Sequence, residues 1–219
     1  MNAARRFSFV FVSAIVALSL AGCTPVVPTS GSTHATSVPT STPTPTPSPV
    51  VATGLVVSLD VVSVTMSDGS IGDTARFSDG PATVALISRI LGSTPTPQHD
   101  DVYGFTGYQW NGVSVSLDTN TGDSAGVGFT VARIGSINLS TAEGITIGST
   151  VADVRKIASP GTEWVSDSKH SSFGLEARTH PGTESLTYPG RVGTDYIDVQ
   201  LRGGVVTDIG TPGSDWKDL

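Results

Sequence analysis

Thr83-Val84-Ala85-Leu86-Ile87-Ser88-Arg89-Ile90-Leu91 aligns without a gap to Thr150-Val151-Ala152-Asp153-Val154-Arg155-Lys156-Ile157-Ala158, 67 residues downstream. Four positions are identical, and Ile87/Val154 and Arg89/Lys156 are similar. Val84, Ile87 and Leu91 fall on one face at helical spacing, and so do Val151, Val154 and Ala158. Both stretches therefore predict short amphipathic helices. Their ends carry independent signals. Asp79 or Ser78 can cap the first helix, Pro81 suits its first turn and Gly92 ends it. Thr150 with Asp153 makes a capping-box-like start for the second, and Ser159-Pro160-Gly161 stops it.

The flanks correspond as well. Alternating, strand-like stretches precede each helix, Leu55–Met66 and Val127–Leu139, and each leads to a turn with an acid and a glycine, Asp68-Gly69 or Glu143-Gly144. After each helix comes a strand of matching pattern, Val113-Ser114-Val115-Ser116-Leu117 and Ile197-Asp198-Val199-Gln200-Leu201. This predicts an α+β fold of two similar helix-plus-antiparallel-sheet units packed in tandem, over 55–122 and 123–219. The other reading is one irregular α+β domain without repetition. Tandem units of this kind resemble the β-lactamase inhibitory proteins, secreted duplicates of short helix-plus-sheet units. They also resemble small envelope lipoproteins with a helical pair on a sheet. The resemblance implies architecture only; no site residue is carried over with it.

The N-terminus reads as an address. Arg5 and Arg6 precede an uncharged, largely apolar run, Phe7–Leu20, which is short for a transmembrane helix and ends in small residues. Leu20-Ala21-Gly22-Cys23 follows and resembles the lipobox of bacterial lipoproteins. That resemblance implies a signal peptide over 1–22, cleavage before Cys23, and diacylglycerol with acyl chains such as palmitate on its thiol. Cys23 is the only cysteine, so no disulfide competes for it. Each buried CH₂ contributes about 0.8 kcal/mol, so several acyl chains anchor stably where one does not. The expected location is the extracytoplasmic face of the cell membrane. Residues 23–54 comprise the lipidated cysteine and a Thr/Ser/Pro-rich linker without charge, suited to polyproline II and unable to build a core. His34 lies within it and is assigned no catalytic task.

Composition excludes some partners. The net charge is −7, and removal of Arg5 and Arg6 takes the mature chain to −9. With no basic cluster, nucleic acid and anionic headgroups are poor partners. Abundant Gly, Val, Ile and Thr favour strands and turns.

Catalytic motifs are present only as letters. Gly122-Asp123-Ser124-Ala125-Gly126 is a G-x-S-x-G, but Val127-Gly128-Phe129 reads as a strand where a nucleophile elbow needs a helix. A small serine hydrolase using Ser124, with His170 or His180 as base, is the alternative function. Ser166-Asp167-Ser168-Lys169 is an S-x-x-K set before a polar loop rather than in a helix. Asp118, Asn120 and Asp123 imitate a calcium loop, but its sixth position is Asp123 rather than Gly and its twelfth is Phe129 rather than Glu. His99-Asp100-Asp101 reads as a solvated loop. No metal or cofactor is implied.

The more usable surface is aromatic. Tyr103, Phe105, Tyr108 and Trp110 cluster before a strand, Trp164 follows the second helix, and Tyr188 and Tyr196 flank the last long loop. Residues 159–194 read as a polar, loop-rich stretch. Tyr103, Tyr108, Trp110, Trp164, Tyr188 and Tyr196 are the candidate binding residues, with core packing the competing role for Trp110 and Trp164. The expected function is a lipid-anchored, non-catalytic domain that binds a protein or envelope component. A structural surface protein without a specific ligand is a further alternative. Cys23→Ala is expected to abolish labelling by a fatty-acid probe while leaving the folded domain's circular dichroism unchanged; persistent labelling overturns the anchor.

Overall fold

Period-two alternation of apolar and small polar residues governs most of the chain. In the computed structural model, which describes residues 48–120, 124–167 and 169–216, the protein is mixed but β-rich, with two sheets and few helices. Cys23 and His34 lie outside the described residues. Three strands come first, β1 (Ala52–Val57), β2 (Val61–Met66) and β3 (Ile71–Arg76), then helix α1 (Gly80–Leu91). The meander β4 (Gln98–Asp100), β5 (Phe105–Gln109), β6 (Val113–Asp118) and β7 (Ser124–Phe129) follows. The short β8 (Arg133–Ile134) and β9 (Ile137–Thr141) lead to helix α2 (Val151–Arg155). A second meander ends the chain: β10 (Glu163–Val165), β11 (His170–Glu184), β12 (Val192–Arg202) and β13 (Val205–Ser214).

The smaller sheet has the order β3-β2-β1-β9-β8, and the larger has β10-β11-β12-β13-β7-β6-β5-β4. Pairing is antiparallel except between β1 and β9. The two meanders thus meet through β7 and β13, with Phe129 opposite Ile209, Gly128 opposite Gly210 and Val127 opposite Thr211.

Alternation decides which face is buried. Val113, Val115 and Leu117 of β6, Ala125, Val127 and Phe129 of β7, and Ile197, Val199 and Leu201 of β12 all point inward. They share one apolar core with Leu55, Val57, Val62 and Val64 of the smaller sheet and Val84, Leu86 and Ile87 of α1. Both sheets therefore enclose a single interior, and the opposite face of the larger sheet is left open.

The start signals of both helices and the stop of α1 act as expected, whereas α2 ends at Arg155 with Lys156 as its C-cap, short of the Ser159-Pro160-Gly161 stop. Asp79 accepts the Ala82 N–H at 3.1 Å, Pro81 lies in the first turn, and Gly92 closes α1 at φ 72°. Thr150 and Asp153 form the capping box of α2. Gly69 and Gly144 both take the positive φ that their turns require. Beyond those turns the chain differs: β3 follows the first, while residues 145–149 run directly into α2. The polar stretch 159–194 is mostly strand, with a loop left only at 159–162 and 185–191 apart from the short β10–β11 turn. It forms β10, all of β11 and the start of β12, with Arg178 opposite Asp195 and Thr179 opposite Thr194. Cross-strand pairing satisfies the backbone there without an apolar pattern in the sequence.

A bulge in β11 joins the two sheets near one edge. Glu176 sits at φ 49°, and its carboxylate accepts the Leu59 N–H from the β1–β2 turn at 2.8 Å. Burial first, and then the hydrogen-bonded Glu143 carboxyl, push the Glu176 carboxyl up to about 7, with Asp60 adding to the repulsion. Arg178 faces this group as well but is paired with Asp60. The folded state then holds a proton that the unfolded chain releases near 4.5. Its stabilisation is complete below that value and is lost as pH rises through about 7. Urea midpoints of the wild-type chain should fall across this window, and Glu176→Gln should flatten that fall. An unchanged slope in the variant would assign the titration elsewhere.

Candidate functional site

The open face of the larger sheet is built from the residues that alternate with the core. Cross-strand register places Gly174, Asp198, Gly210, Gly128, Ser114 and Gln109 in one row across β11, β12, β13, β7, β6 and β5. The next row holds Trp164, Ser172, Gln200 and Asp208. Half of this floor is glycine and serine, so larger side chains stand out on it.

The largest cluster lies on the β10–β12 side. Trp164 and Tyr196 meet with ring centroids 5.0 Å apart. Tyr196 covers the glycines on the neighbouring strands: a Cβ on Gly174 would lie 3.0 Å from the Thr162 Cβ and 3.1 Å from that of Tyr196, and a Cβ on Gly213 would lie 3.1 Å from the Tyr196 ring. Burial, with the nearby Asp198 and Asp215 charges, pushes the Tyr196 hydroxyl up to about 12, so the ring is a neutral wall. The Trp164 indole N–H is buried without an acceptor among the described residues. The other two tryptophans differ: Trp110 donates to the Ser93 carbonyl at 2.8 Å and Trp216 to Asp195 at 2.8 Å.

Beyond Trp164 the face deepens into a cavity of about 320 Å³, whose lining includes Thr162, Trp164, Thr179, Tyr188, Arg191 and Asp215. The Arg191 guanidinium lies 5.1 Å from the Tyr188 ring centroid. Asp215 is buried and committed to structure, accepting from the Ser185 hydroxyl at 2.8 Å and from the Thr194 N–H. On the other side of Tyr196 stands Asp198. Burial raises its carboxyl above the usual range, the Gln200 amide opposes that by donating to it at 2.8 Å, and Asp208 adds like-charge repulsion.

The sequence-predicted aromatics thus fall into two groups. Trp164 and Tyr188 line this cavity, and Tyr196 lies beside it against Trp164. Tyr103, Tyr108 and Trp110 belong to the opposite end of the sheet. There Tyr103 is 67% exposed and stacks on Phe105 at 6.4 Å, while Tyr108 stacks on Trp110 at 6.5 Å. Trp110 is 7% exposed and its N–H ties down the chain after α1, which makes it part of the core.

The motif residues do not assemble. Ser124 opens β7 opposite Asp118 in a hairpin, not at a strand-to-helix turn. His170 and His180 are both on β11. β12 and β13 lie between β11 and β7, a separation of about 14 Å. His170 bonds Asp167 at 2.8 Å, and His180 bonds Asp195 at 3.0 Å while stacking on Trp216. Asp167 accepts the Lys169 and His170 N–H groups in the β10–β11 turn, so the S-x-x-K letters are turn chemistry. Asp118 accepts the Asn120 N–H in the same manner, and Asp123 lies outside the described residues. His99 bonds the Thr106 hydroxyl at 2.9 Å from β4, and Asp100 caps the turn at Val102 and Tyr103.

Asp198 and the glycines beside it are absent from the sequence-predicted set. A signal existed: in Ile197-Asp198-Val199-Gln200-Leu201 the alternation already sends Asp198 and Gln200 away from the core. Their cross-strand neighbours were not readable. No family model matches this chain, and no curated protein or solved structure matches it significantly.

The two glycines flanking Asp198 should respond differently to one methyl group. Gly174→Ala must displace Tyr196 or Thr162 and should cost about 1 kcal/mol or more. A Cβ on Gly210 meets nothing within 4 Å. Gly210→Ala should therefore be neutral or stabilise by roughly 0.5–1 kcal/mol through the unfolded chain. Equal urea midpoints for the two variants would contradict this asymmetry.

Proposed function

We propose that this chain is a lipid-anchored, extracytoplasmic and non-catalytic binding domain, held to the cell membrane by lipid on Cys23. Its ligand is a protein or an envelope component, received on the open face of the larger sheet. The observation that carries this reading is the Trp164–Tyr196 pair beside a cavity on a face that no other described element of the fold covers. Aromatic side chains of this kind anchor interfaces because they bury much area for little rotamer entropy. A sheet face floored by glycine and serine lets a partner's surface approach the backbone closely.

We also read the folded region as two related helix-plus-sheet units, divided after β7 rather than at 122/123, a point that falls between the paired strands β6 and β7. Support comes from the order of elements. Each helix precedes a four-stranded antiparallel meander, β4–β7 after α1 and β10–β13 after α2, and the matching Val113–Leu117 and Ile197–Leu201 segments are the third strand of each. Joined through their last strands, two such units make one wide face, wider than either would offer alone.

Site-specific photo-crosslinking tests the binding reading. A crosslinker replacing Ser172, on the open face, should give discrete adducts in intact envelopes. The same group replacing Ile71, exposed on β3 of the smaller sheet, should not. Equal adducts at both positions, or none at Ser172, would remove the basis for placing a partner on this face.

A further inference from the structure

The surroundings of Asp198 are lopsided in a way that the fold does not require. Its cross-strand neighbours are Gly174 on β11 and Gly210 on β13, and Gly128 lies beyond Gly210 in the same row. The Gly174 side is filled, because the Tyr196 side chain lies against it. The Gly210 side is open, with no atom within 4 Å of where a Cβ would stand. A half-buried carboxylate therefore has an aromatic wall on one flank and a bare notch on the other.

No cation among the described residues pairs with Asp198. Among the described residues the ion pairs use Asp60, Asp73, Asp153, Glu163, Asp167 and Asp195, and none uses Asp198. Its one side-chain bond is to the neutral Gln200 amide. Arg202 is on the same strand face but four residues away, about 13 Å along β12. Asp208 shares the face and repels rather than neutralises. A carboxylate withdrawn from water without a counter-charge is costly, and a donor that brings its own positive charge relieves that cost.

We propose that Asp198 receives the ammonium or guanidinium group of a lysine or arginine side chain carried by a protein partner, with the stem of that side chain lying over Gly210 and ending at the Ser114 hydroxyl, which lies against Gly128. The proposal rests on the binding reading above and names the chemistry of its contact. A protein segment fits better than a free amine. The notch is one point on a broad open face, whereas small-molecule sites enclose most of their ligand. Asp118 and Asp208 on the same face, and the −9 charge of the mature chain, also favour approach of a basic surface.

The test uses the lipidated mature chain in detergent micelles, observed by amide NMR at Gly174, Asp198 and Gly210. Titrants are the blocked tripeptide Gly-Lys-Gly, its norleucine counterpart and n-butylammonium. The lysine peptide should give saturable shifts at these three positions and the norleucine peptide should not. Asp198→Asn should weaken the lysine peptide about tenfold. Gly210→Val, which fills the notch without touching the carboxylate, should block it while the Glu176 and core amides stay in place. The proposal falls if norleucine and lysine peptides behave alike, if Gly210→Val binds as the wild type does, or if n-butylammonium binds as tightly as the lysine peptide. A silent lysine titration alongside strong crosslinks at position 172 would remove the cation seat and leave the binding reading standing.

Discussion

The larger sheet depends on the antiparallel pairing of β7 with β13. Three residue pairs join the two meanders there, and they alternate in role. Phe129 opposite Ile209 and Val127 opposite Thr211 are buried in the shared interior, while Gly128 opposite Gly210 lies on the open face. Phe129 and Ile209 are each 1% exposed, so the seam is held by core packing as much as by its ladder bonds. A one-residue slip of β13 against β7 would turn Ile209 to the open face and Gly210 to the core, and that penalty fixes the register.

The same constraint shapes the candidate site. The glycine pair is tolerated because the core side of the seam supplies the cohesion. With no side chain at Gly210 and nothing within 4 Å of where its Cβ would stand, Asp198 keeps an open flank. Tyr196 does the reverse on the other flank, where it covers Gly174 and Gly213 and supports Trp164. One strand, β12, thus contributes Ile197 and Val199 to the interior while it presents Tyr196, Asp198 and Gln200 outward. Function and stability are divided between its two faces by the period of two.

The second tie between the sheets is polar. Glu176 reaches from the β11 bulge to the β1–β2 turn, in a left-handed conformation that a glutamate adopts at some cost. Its link to Leu59 and Glu143 places a proton-dependent contact where the smaller sheet meets the arm of β11. The cavity with Tyr188 and Arg191 lies along that arm, so the bulge positions part of the proposed binding face as well as the sheet junction.

Local chemistry was legible in the residues. The caps at Asp79, Gly92 and Thr150, the turns at Gly69 and Gly144, and the alternation of Val113–Leu117 and Ile197–Leu201 all act over a few residues, where propensity and spacing suffice. The mixed α+β class followed from them, but a clear division into two tandem units did not; Trp164 and Tyr196 stood in the sequence as two of six separate aromatic candidates, and their contact is tertiary. The strands of 163–194 were hidden, because they are held by partners far away in the chain rather than by an apolar pattern of their own. Which strands became neighbours, and hence that Asp198 stands between a covered glycine and a bare one, was decided only in the tertiary structure. Cross-strand register is a long-range agreement among core residues of several strands, and no local stretch of sequence contains it.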